Sequence, residues 1–243
     1  MMKLLSVLVP ALSNRHWQTM VDELHRQASE HHGNVEVLVE VDDGRMTSGQ
    51  KRNKLTDLSA GQYICFVDDD DWVEPDYVSS LVDGCELGVD VVTFDLHMQI
   101  PRNETWRFGL HLQCRESGQM TANHLCAWKR ELATKVRWNN DLGYADDQCW
   151  YQPLFFSDLA KTEHHIDRVL YHYQFDYATT QNQKRARVEY SRRYVGAGLK
   201  CYRLQDELFV EACLPRRGVL RDRHGNSVEY KVGMEHYHTI RIA

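Results

Sequence analysis

At 243 residues, with 42% hydrophobic and 26% charged side chains, the chain suits one substantial core with a small appendage and excludes a disordered or fibrous protein. A formal charge of −6 offers no general attraction to nucleic acid or an anionic membrane. Seven cysteines, an odd number with no CxxC pair, indicate neither a zinc ribbon nor a disulfide framework and fit a reducing cytoplasm.

The opening "MMKLLSVLVPAL" is too short for a membrane span and a poor signal peptide, so it reads as a buried strand, Leu4 to Val9, ending at Pro10. Ser13 or Asn14 can cap a helix that sets Trp17, Met20, Val21, Leu24 and Ala28 on one face before Gly33. A second strand, Val35 to Val41, runs into the turn Asp42-Asp43-Gly44. Thr47 or Ser48 caps a second helix with Leu55 and Leu58 inward. A third strand, Tyr63 to Val67, delivers "DDDD", Asp68 to Asp71. A helix after Pro75 carries Tyr77, Val78, Leu81 and Val82, and "VDVVTFDLHM" supplies another strand.

Strands alternating with helices predict a parallel sheet with right-handed crossovers, and two acidic clusters then sit at strand carboxyl ends, where such sheets bind ligands. Beyond residue 110 the pattern loosens. "MTANHLCAWKRELATKV" is partly helical, "WNNDLGYADDQCWYQPLFF" enters a helix near Asp146, and "RVLYHYQF" is a late strand. Residues 184–214 read as helix, followed by a hairpin turning at His224 to Ser227.

Four adjacent carboxylates repel by several kcal/mol, roughly 4 per close pair at an intermediate dielectric, unless something positive lies near. Asp68 and Asp70, one residue apart at a strand end, can converge on a hard divalent cation such as Mg²⁺ or Mn²⁺. The competing readings are a solvated acidic loop or a cap for the next helix.

The segments "LLSVLVPALSNR", "VEVLVEVDDG" and "SGQKRNKLTDLSAGQYICFVDDDDWVEPDYV" occur in the order and near the spacing of glycosyltransferase family 2, which this chain resembles. The resemblance implies a GT-A fold: a Rossmann-like α/β/α sandwich with a mainly parallel sheet. It also implies inverting transfer from a nucleotide sugar and an Mn²⁺ or Mg²⁺ cofactor. Pro10 matches the strand-one proline, and Asp42 or Asp43 the acid that contacts nucleobase or ribose. Arg52 matches the "RN" arginine, with Lys51 adding charge. Asp68 and Asp70 match the DxD pair that holds the cation across the diphosphate, and Asp69, between them, is counted with the donor-binding set. Lys51 and Arg52 are alternatively plain helix-surface residues. The chain departs from the pattern at Ala11, where the family often has Thr, and at Glu40, which could slip the acidic turn by one residue.

Inverting transfer needs a carboxylate to take the acceptor hydroxyl's proton. "GYADDQCW", about 75 residues after the DxD pair, matches the family's downstream acids. Asp147 is the first candidate base and Asp146 the second; the competing role is capping the following helix. "LYHYQFDYATTQN" resembles the family's late strand, making His172 a candidate for the metal shell or the donor phosphates, against an ordinary bonded histidine. For His164/His165 and His236/His238, spacing alone without a carboxylate argues against a site. Trp72 and Trp150 are candidate sugar-stacking rings, whereas Trp106, Trp128 and Trp138 read as core.

The sequence therefore divides into a GT-A domain over 1–180, with a donor half near 1–100 and an acceptor half near 101–180, and a helix-plus-hairpin extension over 181–243. The leading expectation is a cytoplasmic, metal-dependent enzyme moving sugar from a UDP-sugar to a saccharide hydroxyl. One alternative acceptor is a modified DNA base, gripped by Lys184, Arg185, Arg187, Arg192 and Arg193. An alternative of another class is a sugar-nucleotide or carbohydrate-binding protein without turnover.

Overall fold

The computed structural model describes residues 3–100, 104–112, 119–140, 147, 150, 151, 154 and 159–174, together with the backbone of strands between 199 and 242. Strand β1 (Lys3–Leu12) is buried along nearly its whole length, as expected of a continuous apolar run covered on both faces. Helix α1 (Gln18–Ser29) buries Met20, Val21, Leu24 and Ala28. It starts after Trp17 with no side-chain cap, so neither Ser13 nor Asn14 serves that role.

Strand β2 (Val35–Asp42) pairs in parallel with β1 from Leu5↔Val35 to Leu12↔Asp42 without a shift. Glu40 therefore causes no slip; it pairs with Lys54 at 2.7 Å. Helix α2 (Ser48–Leu58) begins with a capping box in which Thr47 accepts from the Gln50 N–H and the Gln50 side chain accepts from the Thr47 N–H. Leu55 is buried as expected, but Leu58 is 63% exposed.

Strand β3 (Gly61–Phe66) pairs with the other edge of β1. The path β1–α1–β2 runs one way across the sheet and β2–α2–β3 the other. Right-handed crossovers then place α1 and α2 on opposite faces. After the two-residue β4 (Trp72–Val73), helix α3 (Tyr77–Glu86) packs beside α1, and the Gln27 side chain accepts from the Val78 N–H at 2.9 Å.

The sheet continues through β5 (Val91–Ile100), β6 (Glu104–His111), β7 (Gln119–Thr121), β8 (Ala127–Lys129) and, after the short helix α4 (Arg130–Ala133), β9 (Glu163–Gln174). Its order is β2-β1-β3-β8-β5-β6-β7, with β9 joining β5 and β4. β8 runs antiparallel to both β3 and β5, while β9 runs parallel to β5. The carboxyl ends of β1, β2, β3 and β9 consequently share one edge. This is the layered α/β, Rossmann-like GT-A arrangement, with its aromatic core at Phe66, Trp128, Trp138 and Trp150.

Strands β10 (Leu199–Leu204) and β11 (Glu207–Cys213) form a sheet with β14 (Tyr237–Ile242), so the helix expected over 184–214 is not what residues 199–213 form. Alternating "LKCYRL" and "ELFVEAC" are strand patterns that helical spacing obscured. The predicted hairpin is present as β12 (Arg217–Arg221) paired with β13 (Ser227–Lys231). The basic residues 184–193 lie outside the described residues. Among those described, no helix is long and apolar enough to cross a membrane. Cys65, Cys85 and Cys126 are free thiols buried in the core, and burial pushes Cys65 up to about 12, which suits packing rather than redox chemistry.

Candidate active site

At the carboxyl edge of the sheet the four aspartates divide. The Asp68 carboxylate meets the Arg52 guanidinium at 2.6 Å and His124 Nε2 at 3.3 Å, while its N–H donates to the Tyr171 hydroxyl at 3.1 Å. Asp69 is buried; it accepts from the Leu12 N–H at 2.7 Å and from Arg15 at 2.5 Å. Asp70 shares the same Arg15 nitrogen, Nη1, at 2.9 Å. Asp71 accepts from the Tyr171 hydroxyl at 2.6 Å and from the Gln174 N–H at 2.8 Å. It therefore caps nothing: α3 starts at Tyr77, behind Asp76. Asp69 likewise turns away from solvent and ties β3's exit to β1's.

This arrangement sets the charge. Burial opposes ionisation of Asp68, but Arg52 and then His124 outweigh it and hold the carboxyl well below its usual range. Burial and the charge of Asp68 lift Asp70 to about 6, against the pull of Arg15. Asp71 is raised well above the usual range by burial and by Asp68 and Asp70, despite its bonds to Tyr171 and Gln174. Arg52 matches Asp68, while Asp69 and Asp70 share the single charge of Arg15.

The second acidic cluster also divides. Asp42 lies at the strand edge, accepts from the Met46 N–H at 2.7 Å and pairs with Lys51 at 2.9 Å. Burial raises its proton affinity, but that N–H and Lys51 bring it below the ordinary value. Asp43 pairs with Arg45 at the surface. Lys51 is buried and also donates to the Ala11 carbonyl at 2.9 Å, so it joins the ends of β1 and β2 beside the buried Pro10. Arg52 is buried too, its guanidinium 4.6 Å from the Trp138 ring. The helix-surface reading of both residues is thereby corrected.

Asn53 extends the same helix's work. Its amide donates to the Trp138 carbonyl at 2.9 Å and accepts from the Trp138 N–H at 3.0 Å. A Cβ on Gly49 would stand 2.1 Å from the Asn139 carbonyl oxygen, so glycine lets this segment lie directly on α2. Trp138 in turn stacks on Trp150 at 4.8 Å and 3°. Trp150 and Leu154, at helical positions that also include Asp147, are buried in the core. Burial, then Asp71, Asp68, Asp70 and Asp147, push the Tyr173 phenol far above its ordinary value, so Asp147 shares the electrostatic neighbourhood of the acidic loop. Asp146 lies outside the described residues.

Trp150 is 1% exposed and is core, not a sugar platform. Trp72 is 37% exposed at the edge, and Trp106, read as core, is 51% exposed on β6. His172 sits opposite Trp72, bonds Glu74 at 2.7 Å and meets the His97 ring edge-on. Among the described residues its ligand atoms do not gather with those of Asp68 and Asp70. Arg15, His124 and Tyr171 were not foreseen. Their signal was the acidic run itself, which demands cations and donors without saying where they come from.

The donor chemistry fits a hard divalent cation at Asp68 and Asp70: the ligands are carboxylate oxygens, and Asp70 shares its guanidinium partner, Arg15, with Asp69.

The family pattern described as "Glycosyl transferase family 2" matches residues 13–158. Among curated proteins the sequence matches none. In fold it is similar to S. aureus TarS 1-349 in complex with UDP-GlcNAc, with a TM-score of 0.54, 14% identity and coverage of 74% of this chain and 61% of that one. The same fragment in complex with UDP gives a TM-score of 0.51 at 14% identity over 71% of this chain and 61% of that one. The chain thus spans about three-fifths of the TarS fragment's length.

Proposed function

Since the chain belongs to glycosyl transferase family 2, we propose that it moves a sugar, with inversion, from a UDP-sugar to a saccharide hydroxyl. The observation carrying this reading is the convergence of Asp42, Lys51, Arg52, Asp68, Asp70 and Arg15 on one sheet edge, with Asp147 in the same electrostatic neighbourhood. The UDP-GlcNAc and UDP complexes of the structurally similar TarS fragment support a uridine donor.

In this reading Asp42, fixed by Lys51 and the Met46 N–H, receives the nucleoside. Asp68 and Asp70 hold Mn²⁺ or Mg²⁺, which when bound offsets the charge of the departing diphosphate. Arg52 and His124 favour the ionised form of Asp68. Arg15 holds Asp69 and Asp70 in register, so the loop's shape does not depend on the ligand alone. Asp147 accepts the acceptor hydroxyl's proton as that oxygen attacks from the side opposite the diphosphate. His172, held by Glu74, and the exposed Trp72 border the acceptor side. The separate sheet β10-β11-β14 and the hairpin form an extension beyond the GT-A domain.

The test is a screen of UDP-, GDP-, TDP- and CMP-sugars for thermal stabilisation and slow hydrolysis with Mn²⁺ or Mg²⁺. UDP-sugars should stabilise the protein only with cation present. No effect from any donor, or an undiminished effect in Asp70→Ala, overturns the proposal.

A further inference from the structure

A second cluster of ligand-type side chains lies on the sheet far from the aspartates. His165 is seven residues before His172 on β9, about 23 Å along an extended strand. Strand β5 is central here: Val91 registers with Glu163, Thr93 with His165, and Asp95 with Gly109 of β6. Residues two apart share a face, so Thr93, Asp95, Glu163, His165, Gly109 and His111 all project to the same side. The imidazoles of His111 and His165 stack with centroids 3.9 Å apart. Glu163 Oε1 lies 3.7 Å from His111 Nδ1 and accepts from the Thr93 hydroxyl and the Leu112 N–H. A Cβ on Gly109 would stand 2.7 Å from His111 Nε2 and 3.0 Å from Asp95 Oδ1, so glycine lets the His111 ring lie over this part of the sheet.

We propose that His111, Glu163 and His165 form a binding site for a zinc-class divalent metal. Their ligand atoms all lie within 4.8 Å of one another. Tetrahedral zinc, with bonds of about 2.0–2.1 Å, sets its ligand atoms on the order of 3.4 Å apart, a small closure from the observed spacing. Two imidazoles and one carboxylate favour zinc or a neighbouring transition metal over Mg²⁺. His165 Nε2 faces Asp95 at 3.3 Å, and Arg107 Nε holds Asp95 at 2.6 Å. With Nδ1, which lies 3.0 Å from the Thr93 hydroxyl, given over to the metal, Asp95 would complete the carboxylate–histidine relay that orients a metal-bound imidazole through its other nitrogen. All three ligands are partly exposed, which leaves a path for the ion and a fourth position for water. The site is independent of glycosyl transfer.

The test strips the full chain with chelator, then titrates Zn²⁺ against a chromophoric chelator with excess Mg²⁺ present to fill the aspartate site, using Co²⁺ as an absorption probe. One equivalent should bind. Glu163→Gln and His165→Ala should each weaken binding at least ~10-fold, Asp95→Asn about 10-fold, and Asp70→Asn not at all. Glu163→Gln keeps the acceptor for Thr93 and Leu112, so its fold, checked by circular dichroism, serves if His165→Ala does not fold. No Zn²⁺ binding by the parent, or parent-like binding by folded Glu163→Gln, overturns the proposal.

Discussion

Asp70→Asn should stabilise the cation-free protein at neutral pH, although it removes half of an ion pair. Burial and Asp68 raise the Asp70 carboxyl from its ordinary 3.8 to about 6 in the folded chain. The folded state therefore holds a proton that the unfolded state releases, and stability falls as pH rises from about 4 to about 6, then stays level. At 1.36 kcal/mol per tenfold change in proton affinity, the full cost of ionising Asp70 is about 3 kcal/mol, and solvent at this partly exposed carboxylate reduces it. Asparagine carries no charge and still accepts from Arg15. Urea denaturation with chelator present should show a gain of about 1–3 kcal/mol at pH 7.5 that vanishes by pH 4. Asp70 is one of the charges that raise Asp71, so Asp70→Asn also eases Asp71 and adds to the gain in the same direction. A saturating cation at 100 times its Kd contributes about 2.7 kcal/mol to the parent and should close the gap. The reasoning fails if the variant is no more stable than the parent at pH 7.5, or if its gain persists at pH 4.

Asp147→Asn should lower kcat by about 10²–10⁴ while leaving donor affinity intact, as measured by steady-state kinetics and donor titration. Arg52→Ala leaves the partly buried Asp68 carboxylate with only His124 and should cost about 2–3 kcal/mol in denaturant, below the range for a fully buried pair. Arg52→Lys should recover little of that, because a lysine cannot both lie flat on Trp138 and reach Asp68. Trp150→Ala should cost about 3–5 kcal/mol of stability, whereas Trp72→Ala should change it by no more than about 0.5 and instead raise the acceptor KM.

The donor half was legible because its signals are local: apolar runs set β1 to β3, Thr47 sets the start of α2, and the aspartates follow β3 directly. What stayed hidden is long-range. Arg15 reaches Asp69 across 54 residues and Tyr171 reaches Asp71 across 100, separations that no periodicity encodes. The charge of Lys51 suggested a surface residue, yet its ammonium is buried between Asp42 and the Ala11 carbonyl. His165 was set aside for want of a carboxylate. Asp95, its neighbour, arrives only through the pairing of β9 with β5. The helix expected at 184–214 failed where alternating residues in "LKCYRL" were outvoted by nearby charged, helix-favouring ones.

The Tyr171 hydroxyl, shared between the Asp68 N–H and the Asp71 carboxyl, bears on the order of events during synthesis. On the ribosome the acidic loop emerges some hundred residues before β9, and β4, the loop's neighbour, has no other strand to pair with among the described residues. Until β9 is added, Arg52 and Arg15 can gather Asp68 and Asp69, but Asp71 has neither its hydroxyl nor the Gln174 N–H. The donor end of the sheet is thus laid down first and completed last, and a nascent chain cannot assemble the full acidic loop before the acceptor half is in place.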